Sequence, residues 1–269
     1  MARRELTDLR VIVTGASSGI GREIVCELAK SPVRLVLVAR REDKLRELLA
    51  EIQHQDRNVE IVVGDITDPA VRHAAIERAQ QAFGGLDILI NNAGVGAIGP
   101  FLQADEARLR RVMEVNFFAA VELIRNALPK LKKGRTPLIV NISSILGHRG
   151  IPLHSEYCAS KFALQGFSES LRAELAAEGI DLLVVSPGTT NTEFFDNVLE
   201  RKGAIPWSVN QGVPAAYVAE ATVRAIQRGN HEITPNWRGR MMLWLNKLCP
   251  RLLDKRLAQY GTKPSPGDS

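Results

Sequence analysis

The chain has 269 residues, 45% of them hydrophobic and 24% charged, which is enough to bury a large core in one α/β unit. Its formal charge of +5 comes with no nucleic-acid reading module, which argues against nucleic acid as a partner. Cys26, Cys158 and Cys249 lie far apart and show no pair spacing that would suggest zinc, haem or a redox C-x-x-C, so they read as buried or idle thiols and no metal is expected.

In chain order, Met1-Ala2-Arg3-Arg4-Glu5-Leu6 leads into a strand-like run rather than a long apolar segment, so the expectation is a cytoplasmic protein without a signal peptide. The predicted strands are 11–13, 35–38, 59–63, 88–90, 138–142 and 182–185, with 232–234 as a weaker seventh. Each is a short, near-continuous apolar run, the pattern of a parallel strand covered on both faces. Helical patterns fill the intervals, and this alternation implies βαβ units around one parallel sheet. Asp68-Pro69 reads as an N-cap followed by proline at the first helical position, and Gly179 as a helix stop. One domain is expected over residues 1–269, with a core of about 8–235 and a C-terminal helical extension of about 239–260. The last residues, from Lys263, read as a frayed tail.

Behind the first strand stands Thr14-Gly15-Ala16-Ser17-Ser18-Gly19-Ile20-Gly21, and a helix opens directly after it. Glycines here let the backbone turn tightly and approach a pyrophosphate, whose charge the free N–H groups of a helix start favour. Tyr157 and Lys161 lie four apart and share one helix face. A free tyrosine ionises near pH 10, so a neighbouring ammonium is the means of favouring its phenolate near neutrality.

The spacing T-G-x-x-x-G-x-G, followed in order by Gly64-Asp65-Ile66, Asn91-Asn92-Ala93-Gly94, the set Asn116, Ser144, Tyr157 and Lys161, and Pro187-Gly188-Thr189-Thr190-Asn191-Thr192, resembles the short-chain dehydrogenase/reductase family over roughly residues 8–235. The resemblance implies a doubly wound, Rossmann-like α/β sheet of about seven strands and reversible hydride transfer between a nicotinamide cofactor and a small-molecule carbonyl or alcohol. It implies Asn116, Ser144, Tyr157 and Lys161 as catalytic residues: Tyr157 moves the proton, Ser144 holds the substrate oxygen, Lys161 also reaches the nicotinamide ribose, and Asn116 kinks a helix and holds a water. Ser143 reads as a structural hydroxyl. For the cofactor it implies Gly15, Ser17, Ser18, Gly19, Ile20 and Gly21 at the phosphates, Asp65 and Ile66 at the adenine, and Asn92, Ala93 and Gly94 against the sheet. Pro187, Gly188, Thr189 and Thr192 would stand beside the nicotinamide, with a turn and helix cap as the other reading of Thr192. NADP(H) is expected in preference to NAD(H), because Ala39 stands where NAD-preferring relatives carry an acid and Arg40 and Arg41 follow it. The family is commonly dimeric or tetrameric, so a homodimer or homotetramer is implied.

From Glu193 to Gly212 the pattern loosens, and by resemblance this stretch closes over the substrate. Phe194, Phe195, Val198, Leu199, Ile205 and Trp207 point to a largely apolar ligand. His148 and His154 read as solvated loop side chains. From Arg238 to Arg256 there are six Lys/Arg and one Asp, an excess equal to the charge of the whole chain. Met241, Trp244, Leu245 and Leu248 recur at helical spacing ahead of a break at Pro250. That face is expected to pack on the domain or a twin subunit, with peripheral membrane contact as the other reading. Truncation after Asn236 is expected to alter assembly or solubility before chemistry. Rival functions are reduction of a 3-oxoacyl thioester, against which the long tail argues, and a non-catalytic NADP(H)-binding regulator, which would not need Tyr157 and Lys161.

Overall fold

The computed structural model describes residues 2–52, 58–195, 198–200 and 212–261. Seven parallel strands form the central sheet: β1 (Arg10–Thr14), β2 (Arg34–Ala39), β3 (Val59–Val63), β4 (Ile88–Asn91), β5 (Leu138–Ile142), β6 (Asp181–Val185) and, numbered after two short strands, β9 (Glu232–Ile233). Their spatial order is β3-β2-β1-β4-β5-β6-β9. Because every pairing is parallel, all the carboxyl ends reach one edge. The order reverses between β1 and β4, which opens a crevice at that edge. This is the doubly wound α/β architecture the sequence predicts.

The period-2 alternation of strands decides which residue supports which face. Val11 and Val13 join Ile24, Val25 and Leu28 of α1 (Gly19–Leu28) and Val223 and Ile226 of α7 (Ala215–Arg228) in one buried layer. Ile12 points the other way, with Ala75 and Ile76 of α3 (Pro69–Phe83) and Leu123 and Ile124 of α5 (Ala119–Leu131). Burying a Val, Leu or Ile side chain of this kind stabilises by roughly 1.5–3 kcal/mol. Asp68 caps α3 as expected, its carboxylate accepting from Ala70 N at 2.8 Å, and Gly179 takes a left-handed conformation after α6 (Ser155–Ala176).

Three expectations are corrected. β3 lies at the edge of the sheet, so it is only partly buried and Val63 is exposed. Two strands of two residues, β7 (Thr190–Asn191) and β8 (Val213–Pro214), pair with each other and are too short to leave a sequence pattern. The C-terminal helices α8 (Trp237–Leu248) and α9 (Pro250–Gly261) do break at Pro250, but Met241, Trp244 and Leu248 face outward instead of packing on the domain. Apolar and polar contacts both dock this helix pair: Leu257 packs against the cluster of Leu146, Ile151 and Cys158. Arg149 donates to Asn246 Oδ1 at 2.9 Å and pairs with Asp254, joining both helices to the loop after β5. The remaining helices are α2 (Glu42–Glu51) and α4 (Glu106–Met113).

Candidate active site

At the carboxyl edge of the sheet lies a cavity of about 1040 Å³. One end is the glycine turn. Gly15 and Gly19 hold φ of +64° and +56°, conformations costly for other residues, and the first turn of α1 carries no side-chain cap on Ser18. Gly15, Ser17, Ser18, Gly19 and Ile20 line the cavity. Gly21 does not; it lies behind the turn, where a Cβ would overlap both Asn92 Nδ2 and the Gly15 carbonyl oxygen. Asn92 pins the turn, donating from Nδ2 to the carbonyls of Thr14 and Gly15 at 3.0 and 3.1 Å. The Thr14 hydroxyl accepts from the backbone of Asn92 and Ala93, so β1 and β4 are joined where the crevice opens.

Ala39, Arg40, Arg41, Asp65 and Ile66 form the wall beside this turn. Arg40 is exposed and has no ion-pair partner among the described residues, whereas Arg41 reaches Glu193 at 3.1 Å and Ser17 Oγ at 3.4 Å. Both carboxylate oxygens of Asp65 are engaged, one by the amide and hydroxyl of Thr67 and the other by Arg111 at 2.7 Å. Burial alone would raise this carboxyl, but those hydrogen bonds outweigh it and hold it below its usual value.

At the far end Ser144, Tyr157 and Lys161 converge. Ser144 follows β5 and caps a short 3₁₀ turn, accepting from Leu146 N at 3.1 Å. Lys161 Nζ lies 5.8 Å from the centre of the Tyr157 ring and donates to the Ile142 carbonyl at 2.9 Å. Burial lowers the Lys161 ammonium to about 8. Tyr157 departs from expectation: burial pushes the phenol above its ordinary value and a hydrogen bond with Ser144 pulls only partly against it, so the chain by itself does not favour the phenolate. Asn116 sits behind this wall rather than on it, in a π turn (Glu114–Phe118) that joins α4 to α5. Its amide accepts from Val95 N and donates to Val95 O and to Ser160 Oγ, tying the loop after β4 to α6. Ser143 Oγ is buried at the cavity without a hydrogen-bond partner among the described residues.

A buried polar chain sets the position of α6. Asn91 donates to Asn141 Oδ1, Asn141 to Ser168 Oγ, and Ser168 to the Leu164 carbonyl, linking β4, β5 and α6. At the other side of that helix Arg108 is buried between Glu156 and Glu200, at 2.7 Å from each. Burial would raise the Glu156 carboxyl, and its hydrogen bonds from Arg108 and Ser155 hold it down instead. His154 is likewise buried at the cavity wall, where burial holds its ring below the ordinary imidazole value; the solvated reading is wrong. His148 meets Ser186 Oγ and Glu232 at 3.1 and 3.3 Å, so it too is more than a solvated side chain.

Pro187, Gly188, Thr189 and Thr192 line the cavity, and Thr192 also caps the next turn by accepting from Phe194 N at 3.3 Å. Phe194 lies edge-on to Tyr157, ring centres 5.5 Å apart. The side chain of Phe195, and Ile205 and Trp207, lie outside the described residues. The sequence missed the last wall: Asn236, Trp237, Gly239 and Met242 from the start of α8 and Leu257 from α9. Truncation after Asn236 would therefore remove part of the cavity wall as well as the surface on which the expected change in assembly or solubility rests. No cluster of metal-ligating side chains occurs among the described residues.

Residues 10–203 match the family model for short chain dehydrogenase. Mouse dehydrogenase/reductase SDR family member 7B is 35% identical over 262 residues, covering 94% of this chain and 81% of its own. A short chain dehydrogenase/reductase from Burkholderia phymatum, solved in complex with NAD, superposes with a TM-score of 0.84 at 25% identity, over 93% of this chain and 96% of that one. A short chain dehydrogenase from Burkholderia cenocepacia, in complex with NADP, gives 0.79 at 25% identity, over 97% of this chain and 100% of that one.

Proposed function

Taking as premise that this chain belongs to the short-chain dehydrogenase/reductase family, we propose that it reduces a largely apolar carbonyl compound with NADPH, or oxidises the corresponding alcohol, with Tyr157 exchanging the proton. The observation that carries the reading is the meeting of Ser144, Tyr157 and Lys161 on one wall of a cavity whose opposite end is a glycine turn at a helix start. The cradle fits a dinucleotide. Gly15, Ser17, Ser18, Gly19 and Ile20 offer backbone N–H groups to phosphates, and Gly21 lets α1 approach closely enough to aim them. Asp65, Ile66, Asn92, Ala93 and Gly94 would flank the adenosine and ribose portions, and Pro187, Gly188, Thr189 and Thr192 the nicotinamide, which supplies the hydride when bound. Arg40, together with the small Ala39, favours a 2′-phosphate over a bare ribose hydroxyl: a charge-assisted hydrogen bond contributes roughly 1.5–3 kcal/mol, about 10- to 150-fold in affinity.

At the reacting carbonyl, the Ser144 and Tyr157 hydroxyls would both donate to the oxygen as charge develops on it. Tyr157 then passes its proton to that oxygen. Lys161 keeps its charge through neutral pH despite burial, so its ammonium, close to the Tyr157 ring, offsets the phenolate left behind. Asn116 and Ser160 position α6 rather than touch the substrate, and Phe194 with Met242 and Leu257 give the apolar surround. Phe118 and Phe162, both exposed, offer the apolar faces on which a homodimer or homotetramer would form.

The test is NADPH oxidation against steroids, aliphatic ketones, quinones, sugars and oxoacyl thioesters with wild type and Tyr157→Phe. The variant should bind NADPH but turn over at least about 10²-fold more slowly, since a positioned general acid contributes 10²–10⁴. Retention of more than half the activity would remove Tyr157 from the reaction.

A further inference from the structure

The stripe Trp237, Met241, Trp244 and Leu248 recurs at i, i+4, i+7 and i+11, so the four share one face of α8. All four are exposed, at 60%, 48%, 61% and 58%, and Leu252 extends the surface onto α9 at 61%. A contiguous apolar face of this kind is an interaction surface rather than scattered surface hydrophobicity. Its surroundings identify the partner. Arg240, Lys247, Arg251, Lys255 and Arg256 are exposed on the same two helices, and the acid among them, Asp254, is paired with Arg149.

We infer that α8 and α9 dock the protein on an anionic membrane surface, lying flat with the Trp244 face in the headgroup region and the Lys and Arg side chains against acidic lipid. Tryptophan favours that depth because its ring is apolar and its N–H is polar. Each helix has 12 residues, and no described helix is long and apolar enough to cross a membrane, so the pair lies on the bilayer rather than in it. A second copy of this chain is the poorer occupant, since it would bring the same excess of positive charge to the contact. The same helices supply Gly239, Met242 and Leu257 to the cavity, and Trp237 belongs both to its rim and to the exposed stripe, so docking brings the cavity wall to the lipid surface. Its use for loading apolar substrate rests on the reductase reading; the docking itself does not.

Flotation of the purified chain with phosphatidylcholine vesicles, with and without phosphatidylglycerol, tests the inference. Two of the three tryptophans lie on these helices, so emission should shift to the blue on binding. The wild type is expected to float with the anionic vesicles and not with phosphatidylcholine alone. The triple variant Met241→Ser, Trp244→Ser, Leu248→Ser should partition at least about tenfold more weakly, given the apolar area withdrawn. Lys247→Glu, Arg251→Glu, Lys255→Glu should lose flotation while keeping the apolar face, and serves where the first variant folds poorly. Wild type that fails to float, variants that float equally, or a triple variant whose mass by light scattering falls because a second copy covered this face would each overturn it. Carbonyl reduction, measured without vesicles, reports separately on the reductase reading.

Discussion

Replacing Glu193 by Gln should tighten NADPH and leave NADH almost unchanged. Arg41 stands at the end of β2 beside Ser17 and is turned across the cavity onto the Glu193 carboxylate at 3.1 Å. A 2′-phosphate seeking that guanidinium must displace Glu193. The pair is substantially exposed, with side-chain accessibilities of 39% and 53%, which puts its strength at about 0.2–1 kcal/mol. Removing the competitor should therefore improve NADPH affinity by about 1.4- to 5-fold, with NADH moving less than about twofold. Gln keeps the size of the side chain, and the turn it occupies is capped by Thr192, so the backbone has no reason to move. Titration of nicotinamide fluorescence gives both dissociation constants, and the difference should fade in high salt because the charges are exposed. A NADPH-to-NADH ratio that stays the same or falls would refute the competition.

Gly21→Ala should lower Tm by roughly 2–12 °C, from an overpacking cost of about 1–3 kcal/mol, because the new methyl overlaps Asn92 and the Gly15 carbonyl. Gly150→Ala meets nothing within 4 Å and should melt like wild type in the same scan. Lys161 titrates near 8 when folded against an ordinary value of 10.5, so between those limits the unfolded chain binds more protons and stability rises with pH. Urea midpoints for wild type should climb relative to Lys161→Met between about pH 8 and 10; parallel curves would show that the ammonium is not buried in this way. Arg108→Met leaves Glu156 buried without its cation and should cost about 3–5 kcal/mol at neutral pH. That loss should shrink as pH falls and Glu156 takes up a proton, and a loss independent of pH would assign it to packing instead.

The strands were legible because a covered parallel strand must be apolar on both faces, a demand visible residue by residue in 182–185. Where no such run exists, in the two-residue pair Thr190–Asn191 and Val213–Pro214, the strands went unread; β3 was read with its observed bounds, and what stayed hidden was its place at the sheet edge. The polar partnerships were not legible. Arg41 and Glu193 are 152 positions apart and Arg111 and Asp65 are 46 apart, and no local pattern marks such pairs. Periodicity found the exposed stripe of α8 but could not say what it faces, and it passed over Met242, which stands off that stripe and lines the cavity. Burial of His154 was hidden for the same reason, since a histidine on a loop takes its environment from distant chain.

The π turn at Glu114–Phe118 also governs how two walls can be built from one uninterrupted helix. Each residue of an α-helix advances by about 100°, so an apolar stripe set in α4 fixes where α5 must point if the winding is regular. The wider turn takes up an extra residue and resets that phase. α4 is thereby free to seat Arg108 and Val112 toward α6, while α5 turns Leu123, Ile124 and Ala127 toward α3 and the sheet. The helix acts as a joint between two bearings set at different angles, and Asn116 occupies the joint, where its amide ties it to the loop after β4 and to α6.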